Sequence, residues 1–165
     1  MKLDNHAAKQ AYVQLLIDAS RKKTEVLKRL MEITKEQEDL MGSEDFDDER
    51  FLHTISLKEE QLKDLDELDR GFDQIFDNIK QELTDHKYRY EPEIKALQGY
   101  ITTITDMSVQ LQAMELRNKT KLEALLVCKR KEIRKSKISS QAAVKYYKTM
   151  TSQNEGQSYF YDKKK

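Results

Sequence analysis

The stretch Thr84-Asp85-His86-Lys87-Tyr88-Arg89-Tyr90-Glu91-Pro92 decides the fold, because the chain either turns there or continues as one long helix. Pro92 suits the first turn of a helix and disfavours helical geometry at Glu91. An apolar seam nevertheless continues through Tyr90, Ile94 and Leu97. A helix unbroken from residue 47 to about residue 135 would exceed ~130 Å at ~1.5 Å per residue, and much of its seam would need a second chain. A turn avoids this exposure, so we favour an antiparallel three-helix bundle over an unbroken, dimerising helix.

A heptad pattern precedes this stretch, over residues 5–41. Its apolar residues recur with gaps of three, four and seven, and Lys23 and Gln37 interrupt them with polar groups. The pattern predicts a first helix about 55 Å long at ~1.5 Å per residue. Its seam consists of Tyr12, Leu16, Ala19, Val26, Leu30, Ile33 and Leu40, with Leu27 and Met31 widening it.

Gly42 and Ser43 end the first pattern, since glycine is the favoured residue just past a helix end. Ser43, Asp45 and Asp47 are candidate caps for a second helix, which we predict over residues 47–84. The seam of this second helix consists of Phe51, Ile55, Leu62, Leu65, Phe72, Ile75, Phe76, Ile79 and Leu83.

A third apolar pattern follows Pro92 and fades into residues 129–137, which hold six basic residues and one acidic residue. Residues 36–49 hold eight acidic residues and no basic one. These two charged runs lie at the same end of the molecule if the third helix runs parallel to the first, as two turns would produce. We therefore predict a helical bundle domain, residues 1–137, and a flexible C-terminal tail, residues 138–165. The third seam consists of Ile94, Leu97, Ile101, Ile104, Met107, Leu111, Met114, Leu122, Leu125 and Leu126.

The composition favours an all-α protein, because a single proline, four glycines and 36% charged residues are typical of long amphipathic helices. The 30 basic and 30 acidic residues cancel, so no global field draws the chain to nucleic acid or to an anionic membrane. The sequence contains neither a window of about 18 apolar residues nor a signal-peptide pattern. We therefore expect a cytoplasmic protein without membrane insertion.

The side chains that could carry chemistry are isolated in the sequence. His6, His53 and His86 lack the spacing of metal ligands, and the acidic stretch 43–49 lacks the glycine of a calcium loop. Cys128, the single cysteine, stands alone beside basic residues, and we assign it no role. The sequence contains no phosphate-binding loop and no nucleophile motif. We expect neither enzymatic activity nor a bound metal or cofactor.

The C-terminal segment breaks the helical rule with aromatic residues that a bundle core does not need. The segment 139–150 has too little apolar area to stay ordered alone, so we expect it to fold on a partner. Binding of single-stranded nucleic acid is the weaker interpretation, because the aromatic residues lie nine or more residues beyond the basic run. The predicted client-binding residues are Ile138, Ala142, Val144, Tyr146, Tyr147 and Met150, and Tyr159, Phe160 and Tyr161 form an aromatic ending.

Several short stretches carry a resemblance to a known family. Residues 30–40 read Leu-Met-Glu-Ile-Thr-Lys-Glu-Gln-Glu-Asp-Leu, and after a short acidic break residues 57–62 read Leu-Lys-Glu-Glu-Gln-Leu, leading to Leu-Asp-Glu-Leu-Asp at 65–69. The pair Tyr146-Tyr147 and the ending Phe160-Tyr161-Asp162-Lys163-Lys164 extend the likeness. In these features the chain resembles the bacterial flagellar export chaperones of the N-type and T-type.

The resemblance implies a small helical cytoplasmic chaperone that is not an enzyme. Such a chaperone binds hook-filament junction proteins or the filament cap and delivers them to the flagellar type III export gate. The resemblance also implies that the C-terminal segment folds on the client and that Tyr146 or Tyr147 docks at the gate. We expect a monomer or weak dimer that forms a one-to-one complex.

The competing interpretation is a structural coiled-coil protein. Its seam would drive self-association, and its tail would only solubilise or tether it. It predicts a stable, elongated oligomer that forms without any client.

Overall fold

The structure, a computed structural model, describes residues 2–128, with side-chain contacts from residue 6 onward. Three helices of similar length form it: α1 (Lys2–Met41), α2 (Asp48–Asp85) and α3 (Glu91–Cys128). A short 3-10 helix, Lys87–Arg89, joins α2 to α3, and no strand occurs between residues 2 and 128. The prediction of an all-α three-helix bundle is confirmed.

The turn predicted near Pro92 is confirmed. Helix α2 ends at Asp85, and the backbone N–H of Tyr90 donates to the carbonyl of Lys87 over 3.0 Å to close the 3-10 turn. Helix α3 begins at Glu91, with Pro92 in its first turn, where a missing N–H costs no hydrogen bond. The ring of Tyr90 is fully buried and anchors the turn in the core.

In the connection between α1 and α2, one of the three candidate residues caps α2. The carboxylate of Asp47 accepts a hydrogen bond from the backbone N–H of Arg50 over 3.1 Å, so Asp47 is the N-cap of α2. Ser43 instead donates its hydroxyl to the carbonyl of Asp45 over 2.8 Å, within the loop.

Helix α1 is the central element, since it packs along both α2 and α3. Helix α3 runs parallel to α1, and Lys121 near its end lies 3.7 Å from Glu38 near the end of α1. Three apolar clusters follow one another along the axis. From the α2–α3 turn to the opposite end, they contain Val13, Leu16, Ile79, Leu83, Tyr90 and Leu97; then Leu27, Leu30, Leu62, Leu65, Ile104 and Leu111; then Met41, Phe51 and Leu122.

The predicted seam of α1 lies one residue before the buried line at Tyr12, Ala19, Val26 and Leu40, whereas Leu16, Leu30 and Ile33 are buried as predicted. Tyr12 is 38% exposed, and Ala19, Val26 and Leu40 are only partly buried. The inner line accepts polar residues because these bond to backbone carbonyls of α1 or to side chains of α2 and α3. This line consists of Val13, Leu16, Ser20, Lys23, Leu27, Leu30, Thr34, Gln37 and Met41.

The described helices include none with the length and apolar character that crossing a bilayer requires.

Candidate functional site

The site residues predicted from the sequence lie outside residues 2–128, which the structure describes. This holds for Ile138, Ala142, Val144, Tyr146, Tyr147, Met150, Tyr159, Phe160 and Tyr161, and for the basic run 129–137. Within residues 2–128, the features that bear on function are a buried polar layer and an open groove.

The buried polar layer lies between the central apolar cluster and the cluster at Met41. Lys58 is fully buried, and its ammonium contacts the carboxylate of Glu115 and donates to Oε1 of Gln37 over 2.6 Å. The hydroxyl of Thr34 lies 2.9 Å from Oε1 of Glu115. The layer therefore joins α1, α2 and α3 at one level through an ion pair.

Neutral side chains complete this layer. Gln37 donates to the hydroxyl of Thr54 over 3.0 Å, and Asn118 donates its side-chain amide to the carbonyl of Thr34, also over 3.0 Å. Such a set of bonds has one correct alignment of the three helices, since a shift of any helix by one turn leaves buried polar groups without partners. We infer that the layer sets the register of the bundle.

Burial lowers the pKa of Lys58 from 10.5 to about 8, although the charge and hydrogen bond of Glu115 oppose this effect. The interior disfavours the ammonium because it removes the ion's hydration, and the carboxylate restores part of that loss. The ion pair therefore contributes alignment more than net stability.

A second polar contact lies about three helical turns from the first layer along α2. Lys23 donates to Oδ1 of Asp69 over 2.6 Å, which ties α1 to α2. Burial raises the pKa of Asp69, and Lys23 opposes the rise. Lys23 and Gln37, predicted as polar interruptions of the first seam, are both buried and paired across the bundle.

A carboxylate at the α2–α3 turn lies close to two cations and a histidine. Oxygen atoms of Glu82 lie 3.0 Å from Lys9, 3.6 Å from His86 and 3.9 Å from Arg89. The hydrogen bond from Lys9 is the main cause that lowers the pKa of Glu82. This cluster fastens the start of α1 to the turn.

An open groove runs along the outer side of α1 and α2. Its volume is about 720 Å³, and its described lining comes from α1 and α2 alone. Six of the lining residues directly precede a buried residue, so the groove follows the flank of the buried line of each helix. On α1 they are Leu15, Asp18, Ala19, Lys22, Glu25 and Val26, and on α2 they are Gln61, Asp64, Glu67, Leu68, Gly71, Phe72 and Ile75.

The groove was not predicted from the sequence, although four of its residues belong to predicted seams. Ala19 and Val26 were placed in the α1 seam, and Phe72 and Ile75 were placed in the α2 seam. All four are only partly buried. The available signal was an apolar stripe wider than two neighbouring helices can cover.

Between residues 2 and 128, no three His, Cys, Asp or Glu side chains converge as a metal site would require. Comparison with known proteins found no matching family model, no matching curated protein and no matching solved structure.

Proposed function

We propose that this chain is a cytoplasmic export chaperone that binds late flagellar subunits and delivers them to the flagellar type III export gate. Its clients are hook-filament junction proteins or the filament cap. The observation that carries the proposal is the open apolar groove on the outside of a bundle whose own core is closed. A groove of this length suits a segment of another protein.

The residues that carry the family resemblance support the proposal through their positions. Thr34 and Gln37 come from the first resembling stretch, and Lys58 comes from the second. All three take part in the buried polar layer, where Gln37 and Lys58 align α1 with α2 and Thr34 bonds to Glu115 on α3. The resembling stretches thus act together as a scaffold that fixes the shape of the outer surface.

We assign the first client contact to the C-terminal segment. Within the described residues, the buried apolar side chains lie between Val13 and Leu122 and form three clusters, so we expect the bundle to fold without residues 138–150. Ordering a segment that folds only on its client costs free energy, and this cost lowers the affinity of the complex. A lower affinity suits a chaperone that must release its cargo at the gate.

Deletion of residues 139–165 tests the proposal. The full chain should form a one-to-one complex with a purified hook-filament junction or cap protein, measured by light scattering. The deletion should abolish this complex and leave the midpoint of thermal unfolding nearly unchanged. The matched control removes only residues 162–165 and should keep binding. A chain lacking 139–165 that still binds fully would contradict the assignment.

Gate docking needs a separate variant. Replacing Tyr146 and Tyr147 together by alanine should weaken binding to the cytoplasmic domain of the export gate protein more than binding to the client. Tyr159→Ala is the control in the same segment. Equal losses for both partners would contradict a specific gate contact.

A further inference from the structure

We propose that the groove between α1 and α2 is the docking site for an amphipathic helix of a partner protein, one that carries basic residues beside its apolar face. This inference rests on the proposed function, because it names a second contact for the client and the chemistry of the client segment.

The shape of the groove fits a helix. The lining of α1 runs from Leu15 to Val26, a distance of about 17 Å at ~1.5 Å per residue. Helices α1 and α2 are antiparallel, so their flanking positions form two parallel walls of this length. A helix of about three turns fills such a space, as an added helix does in a four-helix bundle.

The floor of the groove is apolar and open to solvent. Leu15 is 47% exposed, and Leu68, Phe72 and Ile75 are only partly buried. Burial of an apolar side chain that is now exposed is favourable in proportion to the apolar area removed from water. A contiguous patch of this kind gains from a partner in a way that scattered apolar side chains do not.

The rim of the groove carries mostly negative charge. Asp18, Glu25, Asp64 and Glu67 line it together with the cation Lys22, and Glu25 is paired with Arg21 over 3.0 Å. The carboxylates still outnumber the cations, so the rim attracts a helix with lysine or arginine beside its apolar face. It repels an acidic helix and the phosphates of a nucleic acid.

Small residues open the middle of the groove. A Cβ atom placed on Gly71 would meet nothing within 4 Å, and Ala19 lines the facing wall. An approaching side chain can therefore reach the backbone of α2 at this level. For the same reason, a larger residue at Gly71 can occupy the groove without a clash inside the bundle.

The test uses the full chain and a synthetic peptide of about 18 residues, with leucines at helical i, i+3 and i+4 spacing and lysines beside them. Binding is measured by fluorescence anisotropy. Gly71→Leu should weaken binding about tenfold or more, whereas loss of a helical glycine should not destabilise the fold. The control is Gly99→Leu on α3, where a Cβ also meets nothing within 4 Å.

Charge is tested by the double variant Asp64→Lys and Glu67→Lys. This double variant should weaken binding of the lysine peptide. It should strengthen binding of a peptide of the same pattern that has glutamate in place of lysine. Asp106→Lys with Glu123→Lys, two exposed positions on α3, is the matched control and should change neither. A peptide with the same composition but shuffled leucines should not bind.

The outcomes separate this inference from the proposed function. If a flagellar subunit binds and Gly71→Leu has no effect on either ligand, the groove assignment fails and the proposed function stands. If the peptide binds in the groove and no flagellar subunit binds, the groove assignment stands and the proposed function fails. If replacing the basic residues of 129–137 by glutamine strengthens peptide binding tenfold or more, the chain's own segment fills the groove and a partner as occupant is overturned.

Discussion

At the residue scale, Lys58 and Glu115 carry the strongest constraint in the bundle. Each is buried, each comes from a different helix, and both contact polar groups of α1. Removal of one member leaves the other charge in the core without its counter-ion, whereas removal of both leaves neutral groups that pack. The pair is therefore a determinant of alignment rather than a net source of stability.

Glu115→Leu should lower the free energy of unfolding by about 3–5 kcal/mol, because the ammonium of Lys58 then remains buried without its carboxylate. The double variant Lys58→Met with Glu115→Leu should recover most of this loss. Urea denaturation measures both. The control is Asp66→Ala, which breaks the exposed pair with Arg70 and should cost less than about 1 kcal/mol. A double variant as unstable as Glu115→Leu would refute this account.

Stability should also depend on pH through Lys58. Below about pH 8 the amine is protonated in the folded and unfolded states, and its burial destabilises the fold. Between about 8 and 10.5 the unfolded chain keeps the proton and the folded chain loses it, so unfolding becomes less favourable as pH rises. The gain is at most about 1.4 kcal/mol per pH unit. Wild type should therefore gain stability relative to Lys58→Met with Glu115→Leu across this window; a constant difference would contradict the lowered pKa.

At the element scale, the helix ends are set by local chemistry. Asp47→Ala removes the bond to the backbone N–H of Arg50 at the start of α2 and should cost about 1 kcal/mol of unfolding free energy. Asp45→Ala, in the same loop, should change it by less than about 0.5 kcal/mol. Thermal or urea unfolding measures both. Equal effects would mean that charge at the helix start, rather than the cap bond, stabilises α2.

The helices themselves were predictable because periodicity and end signals are local. The predicted second helix, 47–84, matches α2 at Asp48–Asp85 to one residue at each end. The inner line of α1 was harder, since Ala19 and Val26 are as apolar as true core residues. Which neighbour of a seam faces inward depends on where two other helices lie, and that information is not local.

The polar layer and the groove could not be predicted from the sequence, because they too depend on non-local information. Gln37 and Lys58 are 21 residues apart, and Lys58 and Glu115 are 57 residues apart. Sequence marks each of them only as a polar residue within an apolar pattern. Their pairing, and the open flank that α1 and α2 share, appear once the helices are in register.

At the scale of the whole molecule, the turn at Lys87–Arg89 determines which apolar surface remains exposed for other proteins to bind. It folds α3 back along α1, so the core positions of all three helices are covered within one chain. Outside the groove, the described part exposes five large apolar side chains, and they are spread over the length of the bundle rather than gathered in one patch. They are Tyr12, Tyr88, Val109, Leu116 and Val127.

The full chain should therefore be a monomer with a mass near 19.5 kDa, or at most a weak dimer whose mass falls to that value on dilution, by sedimentation equilibrium. A structural coiled coil would instead show a mass that rises toward a stable multiple, since its seam would need a second copy. If the chain does form such an oligomer, Gly71→Leu shows whether the copies associate through the groove. If this variant alone restores the monomer and Gly99→Leu does not, two copies associate through the groove; if neither does, they associate through a surface other than the groove.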